Sequence, residues 1–150
     1  MSSEVVYIDG SGLVMGRLAS VIAKMLLEGK KVYVFNAEKI LISGKKRSII
    51  EEWKEKLEIK SKINPKHNPI HYRRPDRIFR RVVRGMLPFR KPKGRNAYKN
   101  LKVFHGVPEE FKLKSISFYK PEEAVAKGYP TDYIMLGELA KELGWKGDVV

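Results

Sequence analysis

Residues 5–35 constrain the fold more than any other part of this chain. Val5-Val6-Tyr7-Ile8 is short, apolar and rich in β-branched residues, the signature of a buried strand. Asp9-Gly10-Ser11-Gly12 breaks it. Met15, Leu18, Ala19, Ile22, Ala23 and Leu26 then recur at helical spacing, and Gly29 supplies a stop. Val32-Tyr33-Val34-Phe35 is a second buried-strand run. Strand, helix and strand in so short a stretch outline a βαβ unit with parallel strands, which places the chain in the α/β class.

Further elements follow. Ile40-Leu41-Ile42 is a third short apolar run, ending at Ser43-Gly44. Ser48 with Glu51 has the spacing of a capping box, ahead of a helical stripe of Ile49, Ile50, Trp53 and Leu57. Leu101-Lys102-Val103-Phe104 predicts a fourth strand, and Ser115-Ile116-Ser117-Phe118 another strand or an extended piece. Pro121-Glu122-Glu123 predicts a short helix to Lys127. Thr131 or Asp132 is placed to cap a final helix that carries Ile134, Leu136, Leu139, Ala140 and Leu143 and closes at Gly144.

Charge narrows the partner. Of the 31 Lys/Arg, 15 lie in residues 60–102 beside a single acid, Asp76, while the remaining sequence holds 16 basic and 16 acidic residues. The whole net charge of +14 is thus one tract on an otherwise balanced domain, which points to a polyanion. Arginine dominates its middle, and the guanidinium fork matches phosphate oxygens. Nucleic acid is therefore preferred over a membrane surface, which would call for an apolar face with aromatic anchors. The length of 150 residues fits one domain with a real core. Cysteine is absent, which removes disulfides, thiol catalysis and thiolate metal sites. No apolar run approaches a membrane span and no secretory signal opens the chain, so a cytoplasmic protein is expected.

Within the tract, residues 60–74 read as an irregular extended segment marked by Asn64-Pro65 and Asn68-Pro69, with Lys62, Lys66, His67, His71, Arg73 and Arg74 available to phosphates. Pro75 and Asp76 suit the first turn of a helix that runs to residue 87. Ile78, Phe79, Val82, Val83 and Met86 share one face as its anchor. Arg77, Arg80, Arg81 and Arg84 occupy the other arc. Pro88 stops it, and Phe89 to Asn96, with Arg90, Lys91, Lys93 and Arg95, reads as a basic loop that leads to Lys99. Phe89 is expected in the core; Tyr72 and Tyr98 are open between core pegs and base-stacking platforms.

Other motifs lead to less. Gly10-Ser11-Gly12-Leu13-Val14-Met15-Gly16 has the spacing G-x-G-x-x-x-G, which is neither a dinucleotide fingerprint nor a P-loop; the glycines are read as a turn. Gly44-Lys45-Lys46-Arg47 is a compact cationic turn suited to phosphate contact. His67 and His71 are four apart, but Pro65 and Pro69 argue against the helix that would make them metal ligands. Asp9, Asp76 and His105 form no recognisable triad spacing, and no Ser sits in G-x-S-x-G. Neither a cofactor nor a metal is expected, nor an enzyme.

Four stretches resemble the L-thirteen family of large ribosomal subunit proteins in its archaeal and eukaryotic form. They are Gly16-Arg17-Leu18-Ala19-Ser20, Phe35-Asn36-Ala37-Glu38 with Ser43-Gly44-Lys45, Arg77 to Pro88 with its core Arg84-Gly85-Met86-Leu87-Pro88, and Leu101 to Gly106. The resemblance spans about residues 5–108 and says little of the C-terminal 109–150. It implies a three-layer α/β domain with a central, mostly parallel four-stranded sheet flanked by helices and extended by basic loops. It implies a structural protein of the large subunit that binds large-subunit ribosomal RNA, supports assembly, and neighbours other large-subunit proteins without being an obligate homo-oligomer. Carried over by position, Arg17, Lys45, Arg77, Arg80, Arg81, Arg84 and the stretch from Lys91 to Arg95 would face RNA, and Asn36 would fix the turn after the second strand. The alternatives are a free RNA-binding regulator of messenger RNA and a small nucleotide-binding enzyme with its pocket at Gly10 to Gly16.

Overall fold

A computed structural model describes residues 4–57, 73–112, 114, 116–125 and 132–146. Strand β1 (Val5–Asp9), helix α1 (Met15–Leu27) and strand β2 (Lys31–Phe35) form the expected unit, with β1 and β2 parallel and Tyr7 opposite Tyr33. Leu18, Ala19, Ile22, Ala23 and Leu26 are the buried stripe of α1. The helix closes on Gly29, whose φ of 92° puts it in the left-handed region. The amides of Gly29 and Lys30 donate to the carbonyls of Leu26 and Met25, so two otherwise orphaned helix carbonyls are satisfied.

A left-handed Asn36 and a 3-10 turn, Ala37–Lys39, lead from β2 to β3 (Leu41–Ser43). Helix α2 (Lys46–Leu57) begins two residues before Ser48, with the Ile49 amide bonded to the Lys45 carbonyl. Ser48 is therefore exposed inside the helix rather than its cap. Helices α3 (Pro75–Gly85) and α4 (Pro92–Lys99) precede β4 (Leu101–Val103). A short helix α5 (Glu109–Lys112), a 3-10 turn (Glu122–Ala124), β5 (Tyr133–Met135) and α6 (Leu136–Glu142) complete the described elements. The proposed cap at Asp132 and the helical Ile134 are corrected: Asp132 accepts a bond from Gly44, and Ile134 is the centre of β5. Thr131, Lys127 and Gly128 lie outside the described residues.

The single four-stranded sheet is replaced by two smaller ones. β1, β2 and β4 form a parallel sheet in the order β1-β2-β4, and β3 pairs antiparallel with β5. A parallel neighbour needs a crossover of roughly a dozen residues or more. Only residues 36–40 separate β2 from β3, so β3 cannot lie beside β2 as a parallel strand. The segment 116–119 forms no strand and adds to β1 only a single bridge, Ile8 with Tyr119.

Alternation divides the parallel sheet into two faces. Val6, Ile8, Val32, Val34, Leu101 and Val103 face the helical layer, where Ile78, Phe79 and Val83 of α3 join the α1 stripe in one apolar core. Tyr7, Tyr33, Phe35 and Phe104 stack along the other face, with centroids 5.4 Å apart for Tyr7–Tyr33 and for Phe35–Phe104. Phe111 and Phe118 close over Phe35 at 5.0 and 5.5 Å, and Phe35 is 0% exposed. Edge-to-face packing of these rings covers the second face that a parallel sheet must bury.

Candidate nucleic-acid interface

Residues 73–102 carry twelve Lys/Arg against Asp76 alone, and they fold into α3, α4 and β4. Pro75 stands in the first turn of α3, where its missing amide costs nothing, and Asp76 meets the positive end of the helix. Ile78, Phe79 and Val83 are buried and Val82 is half-buried against the core, so the helix cannot rotate without exposing them. Met86 is not part of the anchor. The helix ends at Gly85, the chain turns, and Met86 is 43% exposed while Leu87 takes the buried place.

The arginines of α3 are of two kinds. Arg77 and Arg81 are exposed. Arg80 and Arg84 are half-buried, each with its guanidinium carbon 4.0 Å from an aromatic centroid: Arg80 over Tyr98, and Arg84 over Phe89. Arg80 Nε also donates to the Leu101 carbonyl at 3.4 Å. Phe89 and Tyr98 meet edge to face at 5.5 Å. Phe89 is thus half-buried rather than a core residue, and both rings serve as platforms for arginine.

The expected basic loop from Phe89 to Asn96 is largely helical. Pro92 opens α4, and Gly94 and Ala97 are buried where the helix packs on the turn at Pro88. Arg90, Lys91, Lys93, Arg95 and Lys99 are all exposed. Arg73 is exposed, and Arg74 lies within 3.3 Å of Asp76; among the described residues this is the one ion pair made by a cation of this stretch. Lys62, Lys66, His67 and His71 lie outside the described residues, as do Lys60 and Tyr72.

Four expected contributors stand elsewhere. Arg17 is exposed on the first turn of α1. Lys45, Lys46 and Arg47 are exposed at the start of α2, where Lys46 pairs with Glu138 at 3.3 Å and Arg47 with Glu51 at 3.2 Å. Exposed pairs of this kind contribute little, about 0–1 kcal/mol, so a phosphate can compete for either cation.

From Gly10 to Val14 the amides of the turn are already engaged and offer nothing to a small phosphate. The amides of Gly10, Gly12, Leu13 and Val14 donate to the carbonyls of Phe35, Lys39, Gly10 and Ala124, and that of Ser11 to Asp9 Oδ1 at 3.0 Å. Asp9 is a structural knot. Burial opposes its charge, but the Asn36 amide, the Ser11 amide and hydroxyl, and Lys120 outweigh that and hold the carboxyl below its ordinary 3.8. A depressed folded value means stability that is present above 3.8 and lost as pH falls through the lower value. Asp9→Asn is therefore expected to be less stable than the parent at pH 7 by about 1 kcal/mol. The gap should close as the medium is acidified below 3.8, which urea titrations across that range will measure. His105 is packed edge-on to Trp145 at 6.0 Å. Among the described residues no group of three or more His, Cys, Asp and Glu could hold a metal, and no helix is long and apolar enough to cross a membrane.

Residues 3–110 match the family model described as Ribosomal protein L13. The chain is 48% identical to the large ribosomal subunit protein uL13 of Aeropyrum pernix over 145 residues, which cover 96% of this chain and 92% of that protein. Identity to uL13 of Methanosphaera stadtmanae is also 48%, across 95% of this chain and 99% of the relative. Against uL13 of Caenorhabditis elegans it is 39%, across 97% of this chain and 72% of the relative.

Proposed function

Because the chain belongs to the ribosomal protein L13 family, we propose that it is a structural component of the large ribosomal subunit that binds ribosomal RNA through the cationic face of α3 and α4. It acts by binding and not by catalysis. The observation that carries this reading is the uncompensated arginine surface held outward by a buried apolar stripe. Residues Arg77, Arg80, Arg81, Arg84, Arg90, Lys91, Lys93, Arg95 and Lys99 neutralise phosphates where RNA segments crowd, and release counterions as they do so. Arg17, Lys45, Lys46, Arg47, Arg73 and Arg74 extend the contact, as do Lys62, Lys66, His67 and His71 from the sequence between α2 and α3. Recognition of backbone and shape suffices, since A-form RNA displays its phosphates and 2′-hydroxyls more readily than its base edges. Neighbouring large-subunit proteins complete its surroundings.

The test is a crosslinking map of the cellular RNA attached to this protein, together with sedimentation. Crosslinks from α3 and α4 to large-subunit RNA, and co-sedimentation with large subunits at moderate salt, are the expected results. Recovery chiefly on messenger RNA, away from subunits, would replace this reading with that of a free regulator.

A further inference from the structure

We infer that Phe89 and Tyr98 are positioning residues of the RNA interface, which fix the guanidinium groups of Arg84 and Arg80 for phosphate before RNA arrives. This rests on the RNA-binding role proposed above. Four observations bear on it. Each guanidinium carbon lies 4.0 Å from its ring centroid, the distance of a stacked cation–π contact. The two rings brace one another edge to face at 5.5 Å, with planes 84° apart. Both arginines are half-buried, whereas Arg77 and Arg81 on the same helix are exposed. Arg80 is tied by a second contact, from Nε to the Leu101 carbonyl, a bond that uses neither of its two terminal nitrogens.

The chemistry follows from the shape of the group. A ring covers one flat face of a guanidinium and leaves its edge free, and the edge is what donates two parallel bonds to a phosphate. Arg80 and Arg84 are four residues apart, so they stand one above the other on α3. A free arginine must lose rotamer freedom when it binds, whereas one already stacked loses less, and affinity rises by the difference. Phe89 and Tyr98 come from the turn after α3 and from the far end of α4. The α3–α4 packing is thereby converted into a fixed pair of phosphate forks. Arg77 and Arg81 act mainly through charge.

The experiment is a double-mutant cycle on binding to deproteinised large-subunit ribosomal RNA, measured over a range of salt concentrations. Phe89→Leu and Arg84→Lys both keep the charge and remove the stack. Each is expected to weaken binding about tenfold with an unchanged salt slope, and the double variant to be no weaker than either. Phe89→Tyr should bind as the parent. Tyr98→Leu and Tyr98→Phe should repeat this pattern with Arg80→Lys. Near-parental affinity of Phe89→Leu and Tyr98→Leu, or additive losses in both cycles, would overturn the inference. If a leucine variant is shown by thermal melting not to fold, the Arg→Lys variants decide alone, and parental affinity in both of them overturns it. Failure of the RNA-binding reading is separate: the parent protein itself would then bind this RNA no better than an unrelated RNA.

Discussion

Exchange of Arg77, Arg81 and Arg84 together for Gln is expected to lower affinity for large-subunit ribosomal RNA by about a hundredfold, at roughly 1 kcal/mol for each phosphate left without its arginine. The slope of log affinity against log salt should flatten by about one per exchanged arginine, because each missing cation releases one fewer counterion. The fold should survive. Arg77 and Arg81 are exposed, and the buried residues of α3 are Pro75, Ile78, Phe79 and Val83, none of which the exchange touches. Removal of like charges from one helix relieves repulsion, while loss of the half-buried Arg84 contact with Phe89 costs about 0.5–1 kcal/mol, so stability should fall by no more than about 1 kcal/mol. Filter binding at several salt concentrations, beside thermal melting, measures both. Parental affinity with a parental salt slope would remove α3 from the interface.

Gly94→Ala should produce the largest loss of stability. A methyl group at residue 94 would overlap the carbonyl group of Pro88 and approach the Phe89 amide nitrogen to 2.9 Å. These are backbone atoms, so no rotamer change can make room. The Pro88 carbonyl is also engaged, accepting the Lys91 amide at 3.0 Å. Either α4 moves away from the turn or the turn opens, and a cost of about 3 kcal/mol is expected from overpacking of this kind. Because Tyr98 rides on α4 and Phe89 on the turn, RNA affinity should fall with stability. Gly85→Ala is the control. It lies at the end of α3 with no atom within 4 Å of the added carbon, and should be neutral or stabilising by up to about 1 kcal/mol. Urea titrations of the two variants make the comparison. Equal stability of both would show that the approach of α4 to Pro88 is not tight.

The contrast between those glycines shows what sequence patterning can and cannot convey. The α1 stripe was legible because Leu18, Ile22 and Leu26 are large and recur at one period. The helical face of α4 was hidden because its buried residues are Gly94 and Ala97, too small to register as apolar against Pro92, Lys93 and Arg95. Composition there reads as loop, and only the close approach to Pro88 explains why a glycine stands inside a helix. In α3 the period correctly separated Ile78, Phe79 and Val83 from the arginines. It carried Met86 too far, since it cannot know that the chain turns after Gly85 and brings Leu87 inward. Nor does a helical period distinguish Arg80 and Arg84 from Arg77 and Arg81. All four lie on one arc, and the difference arises from Tyr98 and Phe89, which reach that arc from a later helix and turn.

The sequence by itself determined the βαβ unit, the cationic helix with its apolar anchor, and the polyanionic character of the partner. These are consequences of local period and of charge counted along the chain. The brevity of residues 36–40 also forbade a parallel crossover from β2 to β3, although its partner could not be named from sequence. Tertiary structure alone decided that β3 pairs with β5, that aromatic rings from five parts of the chain close the second face of the sheet, and that two of the four arginines of α3 are braced by rings. Except for Arg84 with Phe89, these join residues distant in sequence, and all are chosen by how the elements fill space together, for which a one-dimensional pattern holds no signal.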